Sequence, residues 1–175
     1  KLDKRFSHGL SSLLSYTWSH SIDGASVFFG SGANGTTIFP QNNYDLKAER
    51  GNSDFDIRHR ISWSFLYEVP SVHAVPKAVG SGWQLGGILS LQTGQPFSVL
   101  TGQGNSGTGL GNDRPDLVGD PNSGPRTVQE WFNTSAFQFN APLTFGNAGR
   151  NIVRGPGYHN FDFSVLKNFV LREGV

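Results

Sequence analysis

The sequence predicts an all-β fold, an antiparallel meander of long strands with long extracellular loops that forms part of a transmembrane β-barrel. Three observations predict it. The 175 residues are poor in helix formers and rich in turn residues, with 23 Gly, 9 Pro and only 15% charged side chains. Apolar and polar residues alternate with the two-residue period of a strand whose faces differ. The alternating stretches run about 10 to 13 residues, where a soluble strand has about 5 or 6 and a membrane-spanning one needs about 9 to 11.

Taken in chain order, residues 1–6 read as the end of a strand turned back by Ser7, His8 and Gly9. A second strand, residues 10–21, sets Leu14, Tyr16 and Trp18 against Ser15, Thr17, Ser19 and Ser21. The clearest, residues 57–69, carries Ile57, His59, Ile61, Trp63, Phe65, Tyr67 and Val69 on one face. Its other face carries Arg58, Arg60, Ser62, Ser64 and Glu68, with Leu66 as the exception. Residues 83–93 oppose Trp83, Leu85, Leu89 and Leu91 to Gln84, Gly86, Ser90 and Gln92, with Ile88 out of pattern. Residues 161–171 oppose Phe161, Phe163, Val165, Phe169 and Leu171 to Asp162, Ser164 and Asn168, and Lys167 falls on the apolar side. The connections alternate between tight (7–9) or intermediate (70–82) and long (22–56 and 94–160), as in barrels with short periplasmic turns and long outer loops.

A charge on the lipid side of a barrel costs about 2 to 4 kcal/mol at the midplane. The expected lumen-facing residues are therefore Arg58, Arg60, Glu68, Gln84, Gln92 and Asp162. The expected lipid- or partner-facing residues are Tyr16, Trp18, Ile61, Trp63, Phe65, Tyr67, Leu89, Leu91, Phe163 and Val165. Arg58, Arg60 and Glu68 read as a lumen ion-pair network that hydrates the wall, with a ligand path or a plug contact as the other reading. Trp18, Tyr67 and Trp83 sit near strand ends, where amphipathic rings favour the headgroup level.

Other chemistry is weakly represented. A net charge of +1 gives no electrostatic case for nucleic acid, and zero Cys removes disulfides and thiolate sites. No run reaches the roughly 20 apolar residues of a spanning helix. GxGxxG occurs at residues 30–35 and 102–107, but neither opens a helix, so both read as loop glycines. His8, His20, His59, His73 and His159 are scattered without metal-ligand spacing, and His59 reads as interfacial. No cofactor is expected; loop calcium stays open at Asp54 and Asp56 or at Asp113, Asp116 and Asp120, although EF-hand order is missing. No nucleophile elbow or triad motif is present, so no enzyme is expected. The acceptor tripeptides at Asn34 and Asn133 read as chance. The chain begins at Lys1 inside a charged stretch and has no Met, so it reads as an internal segment of something longer.

Several segments also resemble a known family. These are FSHGLSSLLSYTWSHSID (6–23), PQNNYDLKAERGNSDFDIRHRISWSFLYEVP (40–70), GWQLGGILSLQTGQPFSV (82–99), NDRPDLVGDP (112–121), WFNTSAF (131–137) and FGNAGRNIVRGPGYHNFDFSVLKNF (145–169). In this order they are similar to the barrel of Oar-like TonB-dependent outer-membrane receptors. The resemblance implies a bacterial outer-membrane barrel that imports a bulky ligand. It implies as partners a plug domain, an inner-membrane energy-coupling protein and outer-membrane lipid. Plug and energy-coupling segments are absent from these residues. About five strands are too few to close a barrel, since the smallest single-chain bacterial ones use about eight. A released segment with open edges is the alternative, assembling with copies of itself into an extracellular oligomer or filament.

Overall fold

Alternation over long stretches produces one five-stranded antiparallel sheet in the computed structural model, which describes residues 1–27, 39–72, 74 and 76–169. Its strands are β1 (Leu2–Ser7), β2 (Leu10–Trp18), β3 (His59–Glu68), β4 (Trp83–Gln92) and β5 (Tyr158–Lys167), hydrogen-bonded in that order. β1 and β5 are its open edges. The sheet with its turns is one compact unit, and residues 19–58 with 93–157 form a second.

The tight turn and the intermediate connection lie at one end of the sheet. His8 and Gly9, both at positive φ (52° and 75°), make a two-residue hairpin turn whose twist suits the flanking strands. Gly9 has no room for a side chain, because a Cβ there would stand 2.9 Å from the Glu68 carbonyl oxygen. The β1–β2 register shifts between Lys4 and Ser7, a bulge on an edge strand. At the opposite end, Trp18 is paired with His59, and Gln92 with both Arg60 and Tyr158. Both long loops leave from that end.

Strand limits differ from the sequence reading in particular places. The last strand begins at Tyr158, because His159 and Asn160 continue the alternation in register with Leu91 and Ser90. Phe169 lies beyond the ladder, and Leu171 falls outside the described residues. β2 ends at Trp18, since Ser19 and Ser21 turn into the loop unit, where their backbones bond Arg58 and Ser53. β3 begins at His59, not at residue 57.

The long loops carry structure of their own. Three two-residue ladders join Ile22–Asp23 to Gly51–Asn52, Pro96–Phe97 to Val153–Arg154, and Asp116–Leu117 to Phe137–Gln138. Three 3-10 turns, Leu46–Glu49, Pro121–Ser123 and Thr134–Ala136, start on the side chains of Asp45, Asp120 and Asn133, which accept from backbone N–H groups two residues on. Among the described residues Ala136, Ala148, Val153 and Pro96 are buried apolar side chains, all in this unit. The described sheet residues include none, as expected of a wall with one face for lipid and one for a lumen.

Candidate functional site

Register decides which side chains share a face, because directly paired residues point the same way. Tyr16, Ile61 and Leu91 lie side by side, as do Leu14, Trp63, Leu89 and Phe161. Below them come Ser12, Phe65, Gly87 and Phe163, then Leu10, Tyr67, Leu85 and Val165. All ten residues expected to face lipid or a partner therefore lie on this one face. It is open in the isolated sheet, with Phe161, Phe163 and Val165 each more than half exposed.

The rims of that face are amphipathic. At the loop end, Trp18 pairs with His59, and the His59 ring stacks on Tyr16 with Nδ1 2.9 Å from the tyrosine hydroxyl. At the turn end, Lys167 lies beside Trp83, with its ammonium 4.8 Å from the ring centroid, and donates to the Val79 and Ser81 carbonyls. The lysine that broke the pattern is thus at the rim, where its charge is satisfied. β3 is 10 residues long, about 33 Å at roughly 3.3 Å per residue and about 25 Å along the membrane normal at a tilt of about 40°. That is the height of an outer-membrane apolar band. Within it, Trp63 donates its indole N–H to Ser12 at 2.8 Å, so the polar atoms there are mutually satisfied.

The opposite face carries Ser15, Ser62, Ser90 and Asn160 in one row and Thr17, Arg60, Gln92 and Tyr158 in another. Five of the six expected lumen-facing residues lie here: Arg60, Glu68, Gln84, Gln92 and Asp162. They do not form one ion-pair network. Arg60 donates to Gln92 at 3.1 Å and Gln84 to Glu68 at 3.1 Å, at opposite ends of the sheet, while Asp162 accepts from Asn160 at 2.7 Å. Leu66 and Ile88 do lie on this face, joined by Leu13 and Leu166. A hollow of about 430 Å³ is lined by Leu13, Leu66 and Ile88 together with Asp3, Arg5, Ser11, Ser64, Gly86, Gly87 and Ser164. Two glycines in mid-strand remove the side chains that resist bending.

The sixth, Arg58, lies elsewhere. It precedes β3 and belongs to the loop unit, where its guanidinium meets Asp56 and Asn52, each at 3.4 Å. Alternation carried the sequence reading through Arg58, but its charge partner is a loop carboxylate, not a strand neighbour.

The loop unit is built on a buried polar core. Arg114 grips Glu49 with two parallel bonds of 2.7 and 2.9 Å and donates to the Ala148 carbonyl at 2.8 Å. Gln41 ties the same place together, donating to the Gly146 carbonyl and accepting the Arg114 backbone N–H at 2.6 Å. Arg150 pairs with Asp23 and Asp54 and donates to the Glu49 carbonyl, while Arg154 pairs with Asp56. Asn151, fully buried at positive φ (56°), bonds Ser98, Asn52 and Asp54. Asp113 accepts two bonds of 2.6 Å from Ser106.

These bonds set the carboxylates' acidity. Burial works to raise the Asp23 carboxyl. Hydrogen bonds from Ser53, Arg150 and Ser26, with the Arg150 charge, outweigh it and hold the group below its ordinary value. Asp56 is opposed by burial in the same way and held low by the Ser21 backbone N–H, by Arg154 and by the Arg58 charge.

The aspartates that left loop calcium open are occupied by protein donors. Asp54 and Asp56 face the arginines and Asn151, Asp113 accepts from Ser106, Asp116 accepts from the Asn147 backbone, and Asp120 caps a turn. Among the described residues no three His, Asp or Glu side chains are grouped to hold a metal ion. Gly102 and Gly107 of the second GxGxxG stand at positive φ in loop, and residues 30–35 lie outside the described residues.

The model of a protein family described as an outer membrane beta barrel domain matches residues 1–175. The chain belongs to the outer membrane β-barrel domain family. No curated protein and no solved structure matches it. The family places this β-barrel domain in the outer membrane and accounts for a sheet with one apolar and one polar face, long strands, and hairpins at one end only.

The residues that the sequence reading passed over are Gln41, Glu49, Asn112, Arg114, Arg150, Asn151 and Arg154. The signal was present, since all of them lie in the segments that carry the family resemblance. Those segments converge: residues 41–49, 112–114 and 146–151 bond one another, and Trp131 donates to the Arg154 carbonyl at 2.7 Å.

Proposed function

We propose that this chain is a wall-and-loop segment of an Oar-like TonB-dependent receptor, and that the parent protein takes up a bulky ligand with energy relayed from the inner membrane. The observation that carries this reading is the pairing of a two-faced barrel wall with an ordered outer-loop unit whose core is built from the resemblance segments. In it, the apolar face of β2–β5 meets lipid, and Arg60, Glu68, Gln84, Gln92 and Asp162 face the lumen. The partners are a plug domain, an inner-membrane energy-coupling protein and outer-membrane lipid, and the chain performs no catalysis. A groove of about 400 Å³ lined by Val99, Leu100, Thr101, Pro115, Phe137, Gln138 and Phe139 offers apolar contact for cargo on the loop unit. The test is uptake by cells expressing the full parent reading frame, with and without the coupling protein. Uptake that needs both receptor and coupling protein supports the reading; uptake indifferent to the coupling protein overturns it.

Open edges at β1 and β5 support a second reading, in which a released segment pairs edge to edge with its own copies into an oligomer or filament. Intact mass and particle shape separate the two. Detergent-free polymers of a 19.0 kDa chain support assembly. A much heavier polypeptide that needs detergent removes it.

A further inference from the structure

The loop unit is held by charge more than by apolar burial, and the ion pairs that cross between its two segments all run one way. Asp23, Glu49, Asp54 and Asp56 lie in residues 19–58, whereas Arg114, Arg150 and Arg154 lie in residues 93–157. Each of these acids meets an arginine of the other segment. We propose that this seam is an acid-opened latch: ionised carboxylates clamp the two long loops into one unit, and protonation parts the loops while the wall stays folded.

Every acid in the seam has an identified partner. Glu49 faces Arg114; Asp23 and Asp54 share Arg150, with Asn151 also on Asp54; Asp56 faces Arg154 and, from its own segment, Arg58. His20 faces Asn52, a neutral side chain. Sharing couples the two loops at one place, because the Arg150 side chain, 9% exposed, meets Asp23 and Asp54 at once and donates to the Glu49 carbonyl as well. Apolar contact adds little, since the buried apolar side chains such as Ala136, Ala148 and Val153 are small, and the other ties across the seam are individual amide bonds of Gln41, Asn52, Asn112 and Asn151. The wall has no such dependence: its ladders are backbone bonds, and Arg60 and Glu68 pair with amides. Protonation weakens the seam from the side of Asp23 and Asp56, which lose charge only below the ordinary carboxylate range.

These 175 residues have no Cys, so spin labels are placed here by cysteine substitution in the full-length barrel, any other cysteine of which is replaced, reconstituted in bilayers. One pair, Tyr44→Cys with Val128→Cys, joins two exposed positions on the two loops. Another, Ser15→Cys with Ser62→Cys, spans paired residues of β2 and β3. At about pH 7 both distance distributions are narrow, and toward about pH 2 to 3 the loop pair broadens while the wall pair stays narrow. A double variant, Glu49→Gln with Asp56→Asn, broadens the loop pair already at about pH 7 with the wall pair unchanged. A loop pair that stays narrow in acid, a variant that stays narrow at neutral pH, or wall and loop pairs that broaden together would each overturn the latch.

Discussion

The Phe65 ring fills the space above Gly87, its direct partner across β3 and β4: a Cβ on Gly87 would stand 2.5 Å from the ring's Cε1. The ring covers the backbone of a glycine where β4 has a glycine pair, so the ladder there stays shielded. Gly87→Ala must displace the ring and is expected to cost about 1 to 3 kcal/mol. In a Phe65→Ala background the same change should cost much less. Urea midpoints of the four variants in lipid measure the coupling, and equal costs in both backgrounds would remove this account of Phe65.

Facing is testable one strand at a time. Leu89→Arg places a charge in the middle of the apolar face and should cost about 2 to 4 kcal/mol, whereas Ser90→Arg on the adjacent, opposite-facing position should cost well under half of that. Folding yield into bilayers and urea titration report both. The reverse order would invert the wall.

Glu49→Gln removes one half of a buried, doubly bonded pair and leaves the Arg114 guanidinium, 5% exposed, without its counter-charge. The expected loss is about 3 to 5 kcal/mol from the loop unit. Arg114→Lys should rescue little, because a single ammonium cannot reproduce the parallel bonds or the contact to Ala148. Hydrogen exchange at residues 39–49 and 112–154 reads the loss, and undiminished protection there would refute it.

Asp56 sets a pH dependence of known sign. Its carboxyl is held below the ordinary value in the folded state, so its stabilisation is fully present above the unfolded value near 3.8 and is lost as pH falls through the lower, folded one. Asp56→Asn should lower loop-unit stability at neutral pH and flatten its acid limb. Stability measured across that window decides the matter, and an unchanged acid limb would assign the titration to other groups.

The wall was legible because a period of two needs no tertiary information: once Trp63 and Leu89 are on one face, backbone register carries Phe161 along. Its ends were less so. Tyr158, His159 and Asn160 look like loop residues by type, yet their pairing with Gln92, Leu91 and Ser90 continues the ladder. Arg58 failed for the opposite reason, as alternation ran past the point where Asp56 captures it. The loop core was hidden because Arg114, Arg150 and Asn151 are residues that a sequence reading expects at the surface. Only their contacts across distant segments justify their burial, and those contacts have no local signature.

The one-way direction of the ion pairs between the two loops also bears on how the chain is made. The acidic loop precedes its arginines by roughly sixty residues or more of chain, including two wall strands, at a synthesis rate of about 5 to 20 residues per second. Until the second loop arrives, Asp23, Glu49 and Asp54 lack their arginine partners and Asp56 has only Arg58, which keeps the first loop hydrated and averse to collapsing on itself. Each loop waits for the other, and the order in which they become available is written into the placement of their charges.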